Sequence, residues 1–480
     1  MNRLIIRRVS ASFIALAAAT ALAPAALADA TTNLGPATVT LGGFLAAEGV
    51  YRERSESADI GSSFSGIPFS NAANAHYSES RFTARQSRLS VLAQGDASPD
   101  THLAFYGEFD FLGAAQTANS NESNSYNLRI RNVYGTVDWD TEGLELLAGQ
   151  SWSLATLNAH GITPRNEVIP ATIDAQYSVG FTWARQPQLR IVKNFDHQLW
   201  LALSAENPQT TFAGGPGAPQ TISGITIASN HAGGSLLDAN NSFSINHIPD
   251  IIGKAAWEPF IGNAQPIHVE LYGLYRSFYD RVDVTSAANA LGLPVGNNNY
   301  NVSGGGVGGG ITWNAIPKIL DLQISGLTGT GVGRYGSGQL PDITFKPNGT
   351  PAPINENIIL LGATWHATPM LDIYTYAGQE SEHPKYFNTA IGASAIHSGL
   401  GNPAVVTTGC TTENASCSVN IQAENQINAG FWWKIYQGRF GSFRYGMQYS
   451  YTHLSSFAGV GGHAPADDNM VFTSIRYYPF

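Results

Sequence analysis

The sequence predicts an all-β protein, a 16-stranded antiparallel transmembrane β-barrel, and three observations support this fold class. Apolar and polar residues alternate in segments long enough to cross a bilayer when tilted. Long and short connections alternate between these segments. The composition combines few charged residues (12 % of 480) with 51 glycines and 11 % aromatic residues, and the mean hydropathy is only -0.09. These values favour strands whose apolar residues are dispersed in alternation over helices that carry them in runs.

Residues 1–28 have the pattern of a secretory signal peptide. Arg3, Arg7 and Arg8 form a basic end, an Ala-rich apolar core follows, and the segment 26–28 (Ala-Leu-Ala) provides the small-x-small cleavage pattern. The alternative is a membrane anchor, because the apolar stretch is about long enough to span a bilayer. Pro24 and the cleavage pattern favour removal, so we expect a mature barrel domain over residues 29–480.

The strict alternation is clearest in residues 101–112. One face of this segment carries Leu103, Phe105, Gly107, Phe109 and Phe111, and the other carries His102, Ala104, Tyr106, Glu108 and Asp110. In a soluble sandwich the phenylalanines would fill a core. In an outer-membrane barrel they would contact lipid, while the acids would face a wet lumen. Alternation alone leaves both possibilities open.

The connections favour the barrel. The predicted strands are 38–54, 81–95, 101–112, 127–139, 143–150, 179–193, 198–207, 249–260, 266–281, 301–314, 319–331, 356–367, 370–380, 424–437, 441–454 and 468–480. Every second connection is long, up to the 43 residues of 381–423, and the others are tight turns such as Thr368-Pro369. This parity, with an even number of strands, is typical of outer-membrane barrels, whereas a Greek-key sandwich has no reason to keep it.

Several function classes find no support in the sequence. The formal charge of -10 argues against a duplex nucleic-acid partner. Neither a Gly-x-Ser-x-Gly nor a His-Glu-x-x-His motif is present, and no cofactor is expected. The glycine run 304–310 resembles a phosphate loop only superficially, because no Lys-Ser/Thr pair follows it. We expect it to permit close packing by an inward loop or a neighbouring subunit.

The chain has two cysteines, Cys410 and Cys417, in a polar stretch. In an exported protein they predict a local loop disulfide. A metal pair is the weaker alternative, since no further Cys or His lies at ligand spacing.

The last residue of the chain is aromatic and ends a predicted strand. Phe480 therefore resembles the signal that barrel-assembly machinery recognises on a last strand. Arg476 has the same parity as Phe480, where an apolar residue is expected, and a bulge near Pro479 could shift the register.

A set of short motifs resembles the DcaP-like trimeric porins over about residues 80–280. The motifs are Arg129–Gly135, Leu147–Ser153, Arg185–Arg190, Ala205–Pro208 and Pro249–Ile252. The resemblance implies a homotrimer in the bacterial outer membrane, in contact with lipid and lipopolysaccharide. It also implies that the third long connection, 151–178, folds inward and narrows the pore. That loop carries Arg165, Glu167 and Asp174, and the alternative is an ordinary surface loop with solvated charges.

Four arginines on the lumen face of the early strands resemble the basic wall of a porin eyelet: Arg52, Arg88, Arg129 and Arg131. Acids on the loop opposite these arginines would create a transverse field that selects solutes by charge. Guanidinium groups suit carboxylates or phosphates. The alternative is that the arginines pair with Glu48, Glu108 and Asp110 and only keep the lumen wet.

The function expected from these features is passive diffusion of small hydrophilic solutes, with a preference for anions such as carboxylates. The competing hypothesis is an outer-membrane adhesin or enzyme with a plugged lumen. An enzyme would need a nucleophile, base and acid on adjacent strands, and the sequence shows no such set.

Overall fold

The computed structural model describes residues 30–113, 127–174, 178–215, 218–219, 223–232, 242–262, 264–391 and 394–479. The predicted signal peptide and Phe480 lie outside the described residues. The described residues contain no helix that is long and apolar enough to span a membrane.

The fold is a closed antiparallel barrel of sixteen strands, which confirms the predicted fold class. The strands are β1 Ala37–Arg52, β2 in two segments (Glu79–Thr83 and Arg88–Ser98), β3 Thr101–Gly113, β4 Asn127–Trp139, β5 Leu144–Trp152, β6 Arg185–Phe195, β7 Leu199–Glu206, β8 Asp250–Trp257, β9 Ile267–Val284, β10 Gly296–Ile316, β11 Leu320–Thr330, β12 Asn355–Thr368, β13 Leu371–Glu382, β14 Ile421–Gly438, β15 Gly441–Ser456 and β16 Pro465–Tyr478. Strand β16 pairs with β1 from Tyr477 opposite Leu45 to Met470 opposite Arg52. This pairing closes the sheet, so the barrel has no free edge.

The apolar face of each strand points outward. Phe105 is 50 % exposed and Leu103 is 45 % exposed, whereas Glu108 and Asp110 on the opposite face of β3 are buried. Exposed leucines and isoleucines continue this band around the barrel, among them Leu201, Leu271, Ile359 and Ile427. An outward apolar band on a closed barrel is the arrangement that lipid requires, and it places the protein in the bacterial outer membrane.

Eight long loops alternate with short turns. The long connections are loop 1 (53–78), loop 2 (114–126), loop 3 (153–184), loop 4 (207–249), loop 5 (285–295), loop 6 (331–354), loop 7 (383–420) and loop 8 (457–464). The short turns mark the periplasmic end, as in outer-membrane barrels generally. Loop 2 lies outside the described residues.

Two predicted strands differ from the observed ones. The sixth strand begins at Arg185 rather than at residue 179, because Phe181 and Trp183 belong to loop 3 and pack on Trp152 in the lumen. The second strand is interrupted between its two segments. There the Ser87 hydroxyl accepts the Ala46 amide hydrogen at 2.9 Å, in place of a ladder bond. An additional short strand, Ala30–Leu34, forms a hairpin with β1.

Part of the lumen is filled by apolar side chains from the loops. Ile173 and Phe181 of loop 3 pack in one buried cluster with Tyr374, Tyr376 and Phe472 of the wall. A second cluster joins the start of loop 3 to the opposite wall through Leu154, Ile162, Trp200 and Tyr272. The interior of this barrel is therefore an organised core beside a polar passage.

Candidate functional site: the lumen and its inward loops

Loop 3 is attached first to the wall formed by β7, β8 and β9. The Leu154 amide donates to Glu206 at 2.8 Å, the Asn158 amide to Glu270 at 3.1 Å, and the Gly161 amide to Glu258 at 2.5 Å. Carboxylates on β7 and β9, and Glu258 directly after β8, thus hold the backbone of the first half of loop 3. Because each side chain faces inward, these bonds place that half inside the barrel.

The second half of loop 3 is attached to different strands. The Ile173 amide donates to Gln448 on β15 at 2.6 Å, and the Val179 amide donates to Gln426 on β14 at 3.1 Å. Since β7–β9 and β13–β15 lie on opposite sides of a sixteen-strand barrel, the loop crosses the lumen. Its extent is 153–184 rather than the predicted 151–178.

The glycine run on β10 provides room for this loop. A Cβ at Gly310 would lie 2.8 Å from Leu157 Cδ1 of loop 3, closer than side-chain carbon atoms approach. A bulkier residue at this position would push the loop away from the wall. At Gly310 the run thus permits the close packing by the inward loop that was expected, whereas Gly304 and Gly308 lie against wall side chains.

Two of the four predicted wall arginines pair with acids of β3. Arg129 donates to both Asp110 oxygens, at 2.9 Å and 2.7 Å. Arg131 donates to Glu108 at 2.5 Å and to Asp110 at 3.0 Å. Forked contacts of this kind fix both the guanidinium and the carboxylate in the lumen wall. The pairing that the sequence left as an alternative thus exists for Arg129 and Arg131.

Arg129 and Arg131 share the lumen face by regular alternation, and a β-bulge places Asn132 on the same face. In the β3–β4 ladder Glu108 is opposite Asn132 and Phe109 is opposite Ile130, so Arg131 is an extra residue. Arg131 and Asn132 are both buried inside, while Ile130 is 52 % exposed on the lipid side. Two consecutive inward residues are the expected result of a bulge.

The other two wall arginines have different surroundings. Arg52 is fully buried, lies 3.3 Å from Glu79, and donates to the backbone oxygen of Asp59 at 2.7 Å, so it attaches loop 1 to the wall. Arg88 keeps 21 % of its side chain exposed and lies 3.7 Å from Glu108. Only Arg88 of this pair borders the open part of the lumen.

The charged residues of loop 3 point in three directions. Arg165 donates to the Tyr134 hydroxyl on β4 at 3.2 Å and is exposed. Glu167 lies in the loop's own backbone bridge with Asn158. Asp174 is buried and accepts the Ser62 amide of loop 1 at 3.1 Å, and burial raises the pKa of Asp174 to about 8. Arg165, Glu167 and Asp174 therefore contact three different parts of the molecule: the β4 wall, loop 3 itself and loop 1.

Sequence analysis did not assign several further arginines to the lumen, among them Arg185, Arg444 and Arg476. Arg185 lies over the Trp152 and Trp183 rings at 5.1 Å and 5.4 Å. Arg476 pairs with Glu48 at 2.8 Å and also donates to the Ile173 carbonyl of loop 3. Alternation within β15 and β16 could have identified Arg444 and Arg476, because both are opposite each other in register on the inner face.

Arg444 and Arg476, together with Arg88 and the acids Glu108 and Asp372, border a cavity on the periplasmic side of loop 3. The cavity has a volume of about 530 Å³ and is lined by Arg88, Arg444 and Arg476, by the rings of Phe44, Trp432 and Tyr478, and by residues 169–172 of loop 3. A second cavity of about 790 Å³ lies beside the β4–β8 wall, and its lining includes Asp138, Glu145 and Glu258. The periplasmic mouth is thus basic on one side and acidic on the other.

Cys410 and Cys417 are bonded at an S–S distance of 2.00 Å within loop 7. The loop they close holds Asn71 of loop 1, whose amide donates to the Cys410 carbonyl at 3.2 Å, and whose side chain donates to Ala415 at 2.9 Å. Across the part of the chain that the structure describes, no three His, Cys, Asp or Glu residues are grouped as metal ligands.

The fold and the inward loops together define an outer-membrane channel architecture. The structure is similar to the outer-membrane channel DcaP of Acinetobacter baumannii, with a TM-score of 0.62, 17 % identity, and coverage of 92 % of this chain and 97 % of that one. It also matches OmpT of Vibrio cholerae (TM-score 0.47, 11 % identity, 94 % and 99 % covered) and an anion-selective porin from Comamonas acidovorans (0.45, 11 %, 92 % and 99 %).

No family model and no curated protein matches the chain. The resemblance to DcaP-like porins noted in the sequence is confirmed at the level of the fold, by the similarity to the Acinetobacter channel.

Proposed function

We propose that this protein is a passive diffusion channel for small hydrophilic solutes and that it favours anions such as carboxylates. The observation that carries the proposal is the arginine-lined cavity at the periplasmic mouth. Its acids are already engaged: Glu108 pairs with Arg131, and Asp372 pairs with His366 at 2.6 Å and with Lys434 at 3.1 Å. Arg88 and Arg476 face Glu108 and Glu48, so Arg444 is the lining arginine with no ion pair among the described residues, and its positive charge is available to a passing solute.

A row of cations on neighbouring strands supports this preference. Lys434 is opposite Arg444, and Arg444 is opposite Arg476, in the ladders of β14, β15 and β16. Like charges directly opposite each other are unfavourable in a sheet. Asp372 offsets Lys434 and Glu48 offsets Arg476, and a mobile anion beside Arg444 would offset the third charge. Arg444 stacks on the Tyr478 ring at 4.3 Å and donates to Ser442 at 3.3 Å. Both partners are neutral, which preserves the charge of Arg444.

The proposal also covers how the protein is exported, inserted and assembled in the membrane. We propose removal of residues 1–28 on export, recognition of Phe480 by the barrel-assembly machinery, and a homotrimer surrounded by lipid and lipopolysaccharide. The structural similarity to an outer-membrane channel supports this membrane setting. The proposed activity needs no catalytic group.

The test is the reversal potential of the purified protein in a planar bilayer under a KCl gradient. We expect a sign that corresponds to chloride permeation, and a shift toward zero in Arg444→Gln. Arg439→Gln is the matched control, because Arg439 is exposed on the turn after β14 and stacks only on Phe440. Equal reversal potentials in the two variants would contradict the role of the basic mouth.

The same recording distinguishes a diffusion channel from an adhesin or enzyme whose lumen is plugged. Large open-state conductance supports diffusion through the lumen. A silent protein that is folded would instead favour a barrel whose inward loops close it, with activity carried by loops such as 4 and 7.

A further inference from the structure

A second loop, loop 6, enters the lumen and is fixed to the wall by a buried ionic network. Arg276 on β9 lies 2.6 Å from Asp342 of loop 6 and 3.2 Å from Asp250 on β8. The same Asp250 accepts the Tyr335 hydroxyl at 2.9 Å and lies 3.5 Å from Arg334. Because these carboxylates and Arg276 are fully buried, loop 6 has a defined position inside the barrel.

Loop 6 contacts the returning part of loop 3 directly. The Trp183 amide donates to the Tyr335 carbonyl at 2.7 Å, and the Trp183 indole donates to the Ser337 hydroxyl at 3.0 Å. The Ser337 hydroxyl in turn donates to the Phe181 carbonyl at 3.3 Å. The two loops therefore pack as one unit against the wall.

One carboxylate holds both loops. Glu380 on β13 accepts the Gly180 amide of loop 3 at 2.7 Å, and its two oxygens accept the Gly338 amide of loop 6 at 3.1 Å and 3.0 Å. Both oxygens of Glu380 act as acceptors, so one carboxyl group satisfies backbone amides of two loops. Glu380 is 1 % exposed, so water does not compete for these bonds.

Glycine is required where the backbones meet this carboxylate. Gly180 has φ of +85°, and a Cβ there would overlap the Ile359 carbonyl. A Cβ on Gly338 would lie 2.9 Å from Glu380 Oε2 and would overlap the carboxylate of Glu424. The positive φ and the close approach both exclude larger side chains, so this geometry is specific to these loop positions.

We propose that Glu380 is the positioning residue of the pore, joining loops 3 and 6 so that two loops rather than one set its narrow passage. The effect on the passage rests on the proposed channel function, whereas the hydrogen bonds from both loops to Glu380 do not depend on it. Without Glu380, the second half of loop 3 and the central turn of loop 6 lose their common attachment. The passage then widens and fluctuates.

The experiment compares Glu380→Gln with Glu382→Gln in the full barrel. Glu382 is the next inward residue of β13, is equally buried, and its carboxylate oxygens bond to no other described residue. In Glu380→Gln we expect amide exchange of Gly180 and Gly338 to become about tenfold faster, since the amide nitrogen that replaces one carboxyl oxygen cannot accept a hydrogen bond. We also expect larger and noisier single-channel currents. In Glu382→Gln both readouts remain as in the wild type.

The two readouts separate this proposal from the channel itself. A wild-type protein without conductance would remove the proposed function, while the exchange rates would still test the role of Glu380. Equal exchange rates in the two variants would overturn the positioning role whatever the conductance. If Glu380→Gln does not fold, Glu380→Asp replaces it: the shorter side chain withdraws the carboxylate and is expected to shift both readouts in the same direction.

Discussion

The two halves of loop 3 are held by the same kind of hydrogen bond, but the acceptor side chains differ in whether they have charged partners. In both halves an inward side chain of the wall accepts a backbone amide hydrogen of the loop. In the first half the acceptors Glu258 and Glu270 have cationic partners: Lys254 lies 2.7 Å from Glu270, and His268 lies 2.6 Å from Glu258 and 2.9 Å from Glu270. In the second half the acceptors are the neutral Gln426 and Gln448, together with Glu380.

This difference indicates in which half of loop 3 the attachment to the wall depends on charged side chains. An ion cluster in a buried site is strongly destabilised when one member is removed, because its partners stay desolvated and uncompensated. A neutral amide that is lost costs about one hydrogen bond. The first half should therefore respond sharply to single substitutions, and the second half should respond weakly except at Glu380.

The largest effect is expected for Lys254→Met. Lys254 is buried and donates to Glu270 at 2.7 Å and to the Thr156 carbonyl of loop 3 at 2.8 Å. Its loss leaves Glu270 without its lysine, and we expect the free energy of unfolding to fall by about 3–5 kcal/mol. Denaturant unfolding of the barrel in detergent measures this change.

Lys434→Met is the matched control for that prediction. Lys434 pairs with Asp372 at 3.1 Å but keeps 23 % of its side chain exposed. An exposed pair contributes at most about 1 kcal/mol. If both lysine variants lost the same stability, the contrast between buried and exposed pairs in this barrel would be refuted.

A smaller, pH-dependent effect is expected where loop 3 meets loop 1. The pKa of Asp174 is raised to about 8 by burial, so its neutral form is favoured in the folded state. The stability this contributes is present at low pH and is lost as the pH rises through about 8. The free energy of unfolding, measured with denaturant in detergent, should therefore be lower above this transition than below it. The variant Asp174→Asn should show no such step.

The smallest effect is expected for Gln426→Ala. It removes the acceptor of the Val179 amide, which is a neutral hydrogen bond worth about 1 kcal/mol. The Val179 amide should exchange about fivefold faster, because 1.4 kcal/mol corresponds to a factor of ten. An unchanged exchange rate of the Asn158 amide in this variant would show that the two halves of loop 3 are attached to the wall independently.

The inward position of the third loop was expected only from the resemblance to a porin family. Alternation and connection parity were sufficient to predict sixteen strands and the outward face of β3. They depend only on the period of a strand and on the lipid outside, which act on every strand alike. The error at β6 shows the limit of this reasoning. Phe181 and Trp183 alternate like strand residues, but they alternate against the lumen core rather than against lipid.

Less of the candidate site than of the fold could be predicted from the sequence. The arginines of the early strands were identified, but their partners depend on cross-strand register and on the bulge in β4. The inward position of loop 6 had only a weak signal, the glycine-spaced segment 333–338 with one arginine and one tyrosine. Its partner Glu380 lies more than forty residues away in the chain and is brought to it by barrel closure.

The extra residue in β4 has an evolutionary consequence for the barrel. Because Arg131 interrupts an otherwise regular alternation, Ile130 and Val133 keep their orientation toward lipid whether Arg131 is present or absent. Insertion at this point adds a guanidinium to the water-filled side without displacing any membrane-contacting side chain. Insertion or deletion of a single residue at this point can thus change the charge of the lumen wall and leave the strand pairing of the barrel intact.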